Sequence, residues 1–211
     1  LVIVASAAEP RFRPGIVDRY LIAAEKGNVK SLLCVNKMDL VQAEPKPVQT
    51  YRELEIDVVL TSCVTKLGIE EIQSRFRGKV TILAGQSGVG KSTLLNTLYP
   101  QLNIPTLEVS KLTEKGRHAT SSCRLYQLPE GIRIIDTPGI RQLELWDVGP
   151  SEVGYYFPEI AQRAAGCRFR NCTHINEPDC AVRQAVESGE MSLRRYRSYL
   201  HLRESLRAER N

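Results

Sequence analysis

The residues of this chain best suited to chemistry fall into two groups, one fitted to a nucleoside triphosphate and the other to a metal ion. GQSGVGKS at 85–92 matches the pattern GxxxxGK[ST]. In that pattern the glycines Gly85, Gly88 and Gly90 let backbone N–H groups, including those of Gln86, Ser87 and Val89, wrap the phosphates. Lys91 then reaches the β and γ oxygens, the Ser92 hydroxyl is positioned to ligate Mg²⁺, and Thr93 follows as a further candidate contact. Such a loop specifies a triphosphate and leaves the base open.

NKMD at 36–39 supplies the base. A carboxylate at Asp39 accepts two hydrogen bonds from the ring N–H and exocyclic amine of guanine, a donor pattern that adenine lacks. Asn36 is expected to brace neighbouring loops and contact the purine edge, with the Lys37 stem over the ring face. TSC at 61–63 is a degenerate, supporting motif, in which a backbone N–H near Cys63 meets the guanine oxygen and Ser62 holds the turn. DTPG at 136–139 offers Asp136 for a water-mediated contact to Mg²⁺ and the Gly139 N–H as a sensor of the γ-phosphate. Three such motifs in one chain make coincidence implausible, and Asp39 disfavours an ATPase. The residue after DTPG is Ile140, where Ras-like enzymes place a water-orienting glutamine. A hydrophobic residue cannot do that job. His118 in GRHAT is therefore a candidate for positioning the attacking water, with Thr120 closing on Mg²⁺. A histidine that merely packs or contacts a partner is an equal alternative for His118.

The metal group is Cys167, Cys172, His174 and Cys180, spaced CxxxxCxHxxxxxC. Three thiolates and one imidazole suit tetrahedral Zn²⁺, and four protein ligands leave no open position for catalysis. The site is thus expected to be structural, with buried free thiols as the bland alternative. The remaining cysteines, Cys34, Cys63 and Cys123, are scattered through strands and loops, as reduced thiols of a cytoplasmic protein would be.

Elements that could position these residues alternate between apolar runs and short helical stretches. Strands are expected at 1–6, 31–36, 57–62, 79–85, 122–128 and 132–137, mostly Val-, Ile- and Leu-rich without alternation, as in strands buried on both faces. PGIVDRYLIAAEKGN reads as a helix with Ile16, Tyr20 and Ala23 or Ala24 on one face, stopping at Gly27-Asn28. GIEEIQSRF and KSTLLNTLYP read similarly. The pattern predicts an α/β fold, a mainly parallel sheet flanked by helices. It occupies 1–147, with the motif order NKxD, TSC, phosphate loop, GRHAT and DxxG. A small, mainly helical, zinc-binding domain is expected over 148–211. Its terminal stretch places Leu193, Tyr196, Leu200 and Leu206 on one stripe, with Arg194, Arg195, Arg197, Arg203 and Arg207 largely elsewhere.

Composition is ordinary for a globular protein, with 42% hydrophobic and 25% charged residues. No run approaches the roughly 18 to 20 apolar residues that a membrane-spanning helix needs. The apolar opening LVIVASAAEP has no basic segment before it and reads as a core strand, not a signal peptide. Net charge is +5, of which +4 falls in residues 163–211. That distribution fits a polyanionic partner and equally a solvated Arg-rich helix.

The motif order, with base recognition ahead of the phosphate loop, resembles the circularly permuted ribosome-assembly GTPases of the RsgA family, also called YjeQ or YloQ. ASAAEPRF, NKMDL, GQSGVGKSTLLN, KGRHAT, IDTPGI and the Cys/His cluster carry the resemblance nearly end to end. It implies a cytoplasmic, monomeric GTPase that binds the immature small (30S) ribosomal subunit and its 16S rRNA, with no membrane or DNA partner. Subunit-stimulated hydrolysis of GTP to GDP would trigger its release. The family's zinc ligands map onto Cys167, Cys172, His174 and Cys180. An alternative is a zinc-dependent RNA-binding module in which nucleotide occupancy is a signal and hydrolysis incidental. Two departures stand out: Ala119 precedes Thr120 where the family has consecutive threonines, and the sequence begins inside the first strand of the GTPase domain. The family's N-terminal OB-fold domain is thus expected to be missing from this sequence.

Overall fold

The computed structural model of the chain is described for residues 1–106, 124–136, 145 and 148–208. Two compact units share these residues, Leu1–Val17 with Lys30–Gln142 and Asp18–Val29 with Leu143–Asn211. The second unit thus takes up a segment that linear order places inside the first, unlike a division at 147/148.

In the first unit, strands β1 (Val2–Ser6), β2 (Leu32–Asn36), β3 (Asp57–Leu60), β4 (Val80–Ala84), β5 (Arg124–Leu128) and β6 (Ile132–Asp136) form one sheet. Its order is β3-β2-β1-β4-β6-β5, and every pairing is parallel except β5 with β6. β1 and β2 are buried throughout, which is why they read as unbroken apolar runs. Register pairs Ser6 with Asn36 and Leu83 with Asp136, so the carboxyl ends of β1, β2, β4 and β6 reach the same edge of the sheet. Loops leaving that edge are where ligands bind in open α/β sheets. Leu83, Leu94, Leu95, Ile72, Phe76 and Ile134, each fully buried, lie in the core beneath it. Burial raises the Cys34 thiol to about 12, which makes it a packing residue and not a nucleophile.

Helices α1 (Pro14–Lys26), α2 (Pro47–Glu53), α3 (Ile69–Ser74) and α4 (Lys91–Leu98) connect the strands. The sequence reading missed α2, although Pro47 in its first turn and the fully buried Val48 and Tyr51 three apart are its signature. On α1 the buried set is Val17, Asp18, Tyr20, Ile22 and Ala24, and Ile16 is only half-buried. The expected stripe of Ile16, Tyr20 and Ala23 or Ala24 thus left out the buried Val17, Asp18 and Ile22.

The second unit is helical, with α5 (Pro158–Ala164), α6 (Ala181–Glu187) and α7 (Leu193–Ala208). Val153, Phe157, Ile160, Val182, Tyr199 and Leu202 form its small apolar core, where Phe157 and Tyr199 meet edge to face at 5.9 Å. Helix α7 buries Arg195, Tyr199, Leu202 and Leu206, while Leu193 is 48% exposed. The expected stripe through Leu193 and Tyr196 is therefore rotated. The expectation placed Arg195 with the basic face away from that stripe, and Arg195 is instead 3% exposed. Its Nη1 donates to Asp18 at 2.6 Å, its Nε to Glu159 at 2.6 Å, and its guanidinium lies 4.4 Å from the Phe157 ring centre. Arg194 adds a 3.3 Å bond to Asp18.

Candidate functional site

The phosphate loop leaves β4 and enters α4 with Gly85, Gly88 and Gly90 at φ of 151°, 83° and 94°. At Gly85 a Cβ would stand 2.1 Å from the Val4 carbonyl oxygen, and at Gly90 it would stand 2.5 Å from Asn36 Nδ2. Neither position admits a side chain. Lys91 Nζ donates to the carbonyls of Gly85 at 2.7 Å and Gln86 at 3.1 Å, which curls it over its own loop. Burial lowers the Lys91 pKa, opposed by the charge of Asp136. Burial likewise raises that of Asp136, opposed by Lys91 and Arg124. The two groups thus stand close enough to feel each other at the sheet edge, an arrangement open to phosphate oxygens and a divalent cation. Ser92 and Thr93 follow Lys91 in the first turn of α4, Ser92 half-buried and Thr93 exposed.

Asn36 joins this loop to the base motif. Its Nδ2 donates to the Val89 carbonyl at 3.0 Å, and its Oδ1 accepts from Thr61 Oγ1 at 3.2 Å. Thr61 in turn is tied to β2 through its N–H, 2.8 Å from the Val35 carbonyl. Lys37 takes a left-handed φ of 63° and its ammonium donates to the Glu9 carbonyl. Asp39 sits in the short turn Met38–Leu40, and Ser62 Oγ donates to its Oδ1 at 2.5 Å. The same Ser62 oxygen accepts from the N–H groups of Val64 at 3.2 Å and Thr65 at 3.1 Å. Cys63 is half-buried beside Asn36, with burial raising its thiol. The residues 36, 37, 39, 62, 63 and 85–91 are thus drawn together by backbone geometry and by bonds through Asn36 and Ser62. His118, Thr120, Gly139 and Ile140 lie outside the described residues. The sequence reading gave Thr61 no role within TSC, although its place between a strand and Ser62 marks it as a buried hydroxyl seeking a partner.

In the second unit the ligand atoms of Cys167, Cys172, His174 and Cys180 all lie within 4.8 Å of one another. Tetrahedral zinc with Zn–S of about 2.3 Å and Zn–N of about 2.0 Å requires S···S separations of about 3.8 Å and S···N of about 3.5 Å. Cys167 and Cys180 are 3.9 Å apart, and their sulfurs lie 3.5 and 3.4 Å from His174 Nδ1. The donor set and its spacing are compatible with zinc. Glu177 organises the loop between the ligands, accepting from the N–H groups of Thr173, Ile175 and Asn176 and from the Thr173 hydroxyl. Burial alone would raise its pKa, but these bonds hold the carboxyl at about 2. Tyr196 and Tyr199 donate to the carbonyls of His174 at 2.6 Å and Thr173 at 2.7 Å. The sequence reading missed Glu177, whose signal was only a carboxylate inside a ligand spacing. Among the described residues, no helix is long and apolar enough to cross a membrane.

Comparison with known proteins gives the family. The family model described as RsgA GTPase matches residues 1–146. "Small ribosomal subunit biogenesis GTPase RsgA" of Geobacillus sp. (strain WCH70) is 42% identical over 211 residues, covering 98% of this chain and 72% of the relative. The protein of that description from Bacillus subtilis (strain 168) is 39% identical, covering 94% of this chain and 68% of the relative. Among solved structures, YjeQ from Thermotoga maritima superposes with a TM-score of 0.78 at 34% identity, covering 97% of this chain and 70% of that one. YloQ, described as a circularly permuted GTPase, gives 0.76 at 34% identity, with coverage of 99% and 68%.

Proposed function

Because the chain belongs to the RsgA GTPase family, a family of GTP-hydrolysing enzymes, we propose that it acts on the small ribosomal subunit late in that particle's maturation. In this reading it is a cytoplasmic protein that engages the subunit and its 16S rRNA with GTP bound and leaves after hydrolysis. The Asn36–Val89 bond carries the nucleotide part, because it joins a strand end shaped for guanine to a loop shaped for phosphates. Asp39 reads the base, its second oxygen free of the Ser62 bond, while Lys37 flanks the ring and the N–H groups of residues 86–91 take the phosphates. Lys91 would exchange its bonds to Gly85 and Gln86 for phosphate oxygens. Ser92 and Asp136 would hold Mg²⁺, which supplies charge neutralisation at the β and γ oxygens. His118 is assigned to position the water and Thr120 and Gly139 to respond to the γ-phosphate. The Cys₃His cluster would hold one structural zinc.

The test is GTP turnover with and without purified small subunits. Stimulation towards the roughly 10³- to 10⁵-fold that partner-supplied groups give elsewhere is expected. Unchanged turnover together with tight subunit binding would instead favour an RNA-binding module that uses nucleotide only as a signal.

A further inference from the structure

Arg168, Phe169, Arg170 and Asn171, the four residues between Cys167 and Cys172, are all exposed. Phe169 is 40% exposed, whereas Phe157 of the same unit is fully buried, so this ring is withheld from the core. Its loop is nonetheless well held. Both ends are metal-cluster residues, the Cys172 N–H donates to the Phe169 carbonyl at 3.2 Å, and the Arg168 N–H donates to the Asp179 carbonyl at 3.3 Å. The Arg168 guanidinium lies 5.5 Å from the Phe169 ring centre and is itself anchored to Asp179 at 3.1 Å. A fixed aromatic ring with a cation on one side offers its opposite face to a flat partner.

We propose that Phe169 is a stacking platform for an unpaired nucleobase of RNA, with Arg168 and Arg170 meeting the flanking phosphates. The proposal rests on the ribosomal reading only for the class of partner. Charge complementarity selects the occupant: residues 167–172 carry two arginines and no acid, so a polyanion that also presents π faces matches them. A hydrophobic protein surface would meet guanidinium and amide groups around the ring, not apolar neighbours. Paired RNA has its bases stacked out of reach, which restricts the site to single-stranded or splayed nucleotides.

The experiment uses the zinc-loaded chain and measures binding to a short unstructured CAA-repeat RNA, to a blunt RNA duplex, and to purified small subunits. Phe169→Leu is expected to weaken CAA-repeat binding about tenfold, the scale of losing one stacked base. Phe169→Trp should retain it, and duplex binding should be the same for all three proteins. Zinc content and subunit-free GTP turnover provide the check that Phe169→Leu is folded. Equal CAA-repeat affinity of wild type and Phe169→Leu, or no affinity in the wild type, would overturn the platform. Subunit binding by the wild type in that case leaves the ribosomal reading standing. Phe169-dependent CAA-repeat binding without subunit binding supports the platform and removes the ribosomal partner.

Discussion

The two units hold their candidate sites by opposite means. In the first, an apolar core built on β1, β2 and β4 supports a sheet edge, and the polar residues at that edge are aligned by single hydrogen bonds such as Asn36 to Val89 and Ser62 to Asp39. In the second, α5 and α6 have seven residues each, and the interior contains a thiol/imidazole cluster and the charges of Asp18, Arg195 and Glu159. There the polar groups are the scaffold. Where the apolar core is broad, chemistry can be added at its rim, and where it is thin, chemistry is used for cohesion.

The largest expected effect follows from removing the metal. Structural zinc contributes on the order of 10–16 kcal/mol of folding free energy at neutral pH, comparable to the whole stability of a small domain. Chelation should therefore melt α5 to α7, read as lost helical ellipticity, while GDP affinity measured in parallel persists. Full ellipticity in zinc-free protein would erase the contrast between the units. Acid should act in the same direction as chelator. Burial raises the Cys172 thiol to about 12 and lowers the His174 pKa, so without metal Cys172 keeps its proton at neutral pH and the imidazole is neutral. Binding the ion displaces the Cys172 proton, and metal affinity should fall steadily as pH is lowered.

Next in size is Asp18→Ala. Asp18 is fully buried and Arg195 is 3% exposed, so the substitution leaves a buried guanidinium short of one carboxylate. Breaking such a pair costs about 3–5 kcal/mol, because the desolvation cost of the remaining charge is no longer offset. A drop of that size in the denaturant-derived stability of the second unit is expected. Replacing Asp18, Glu159 and Arg195 together by Leu, Leu and Met should recover most of it. A loss below about 1 kcal/mol for Asp18→Ala would place the network with ordinary surface pairs and undo the claim that charge holds this unit.

These effects track how much could be read from residue order. The phosphate loop, NKMD and the Cys/His spacing were legible because each demands particular residue types at fixed intervals, whatever the surroundings. Strands β1 and β2 were legible because burial on both faces writes an unbroken apolar run. Buried charge leaves no such mark: Arg195 looks like its exposed neighbour Arg197, and only the distant Asp18 and Glu159 make it an interior residue. That pairing spans 177 positions, and it explains both the misphased α7 and the unexpected grouping of residues 18–29 with the second unit. Helix α2 was missed for a smaller reason, since its seven residues give too little periodicity to outweigh the prolines around it.

The smallest effect tests whether the first site is assembled before any ligand arrives. Asn36 is 2% exposed, and its amide donates to Val89 and accepts from Thr61. Asn36→Ala removes both bonds and leaves the Val89 carbonyl and part of the Thr61 hydroxyl without partners, a penalty of about 1–3 kcal/mol. Asn36→Asp keeps an acceptor for Thr61 but turns a carboxylate towards the Val89 carbonyl, so it should be no milder. If the bonds preorganise the loop, both substitutions lower the stability of nucleotide-free protein and weaken GDP binding about tenfold. A nucleotide-free stability unchanged by either, with GDP affinity still reduced, would mean that Asn36 acts only through the ligand. The first unit would then resemble the second in needing its bound partner to order its polar groups.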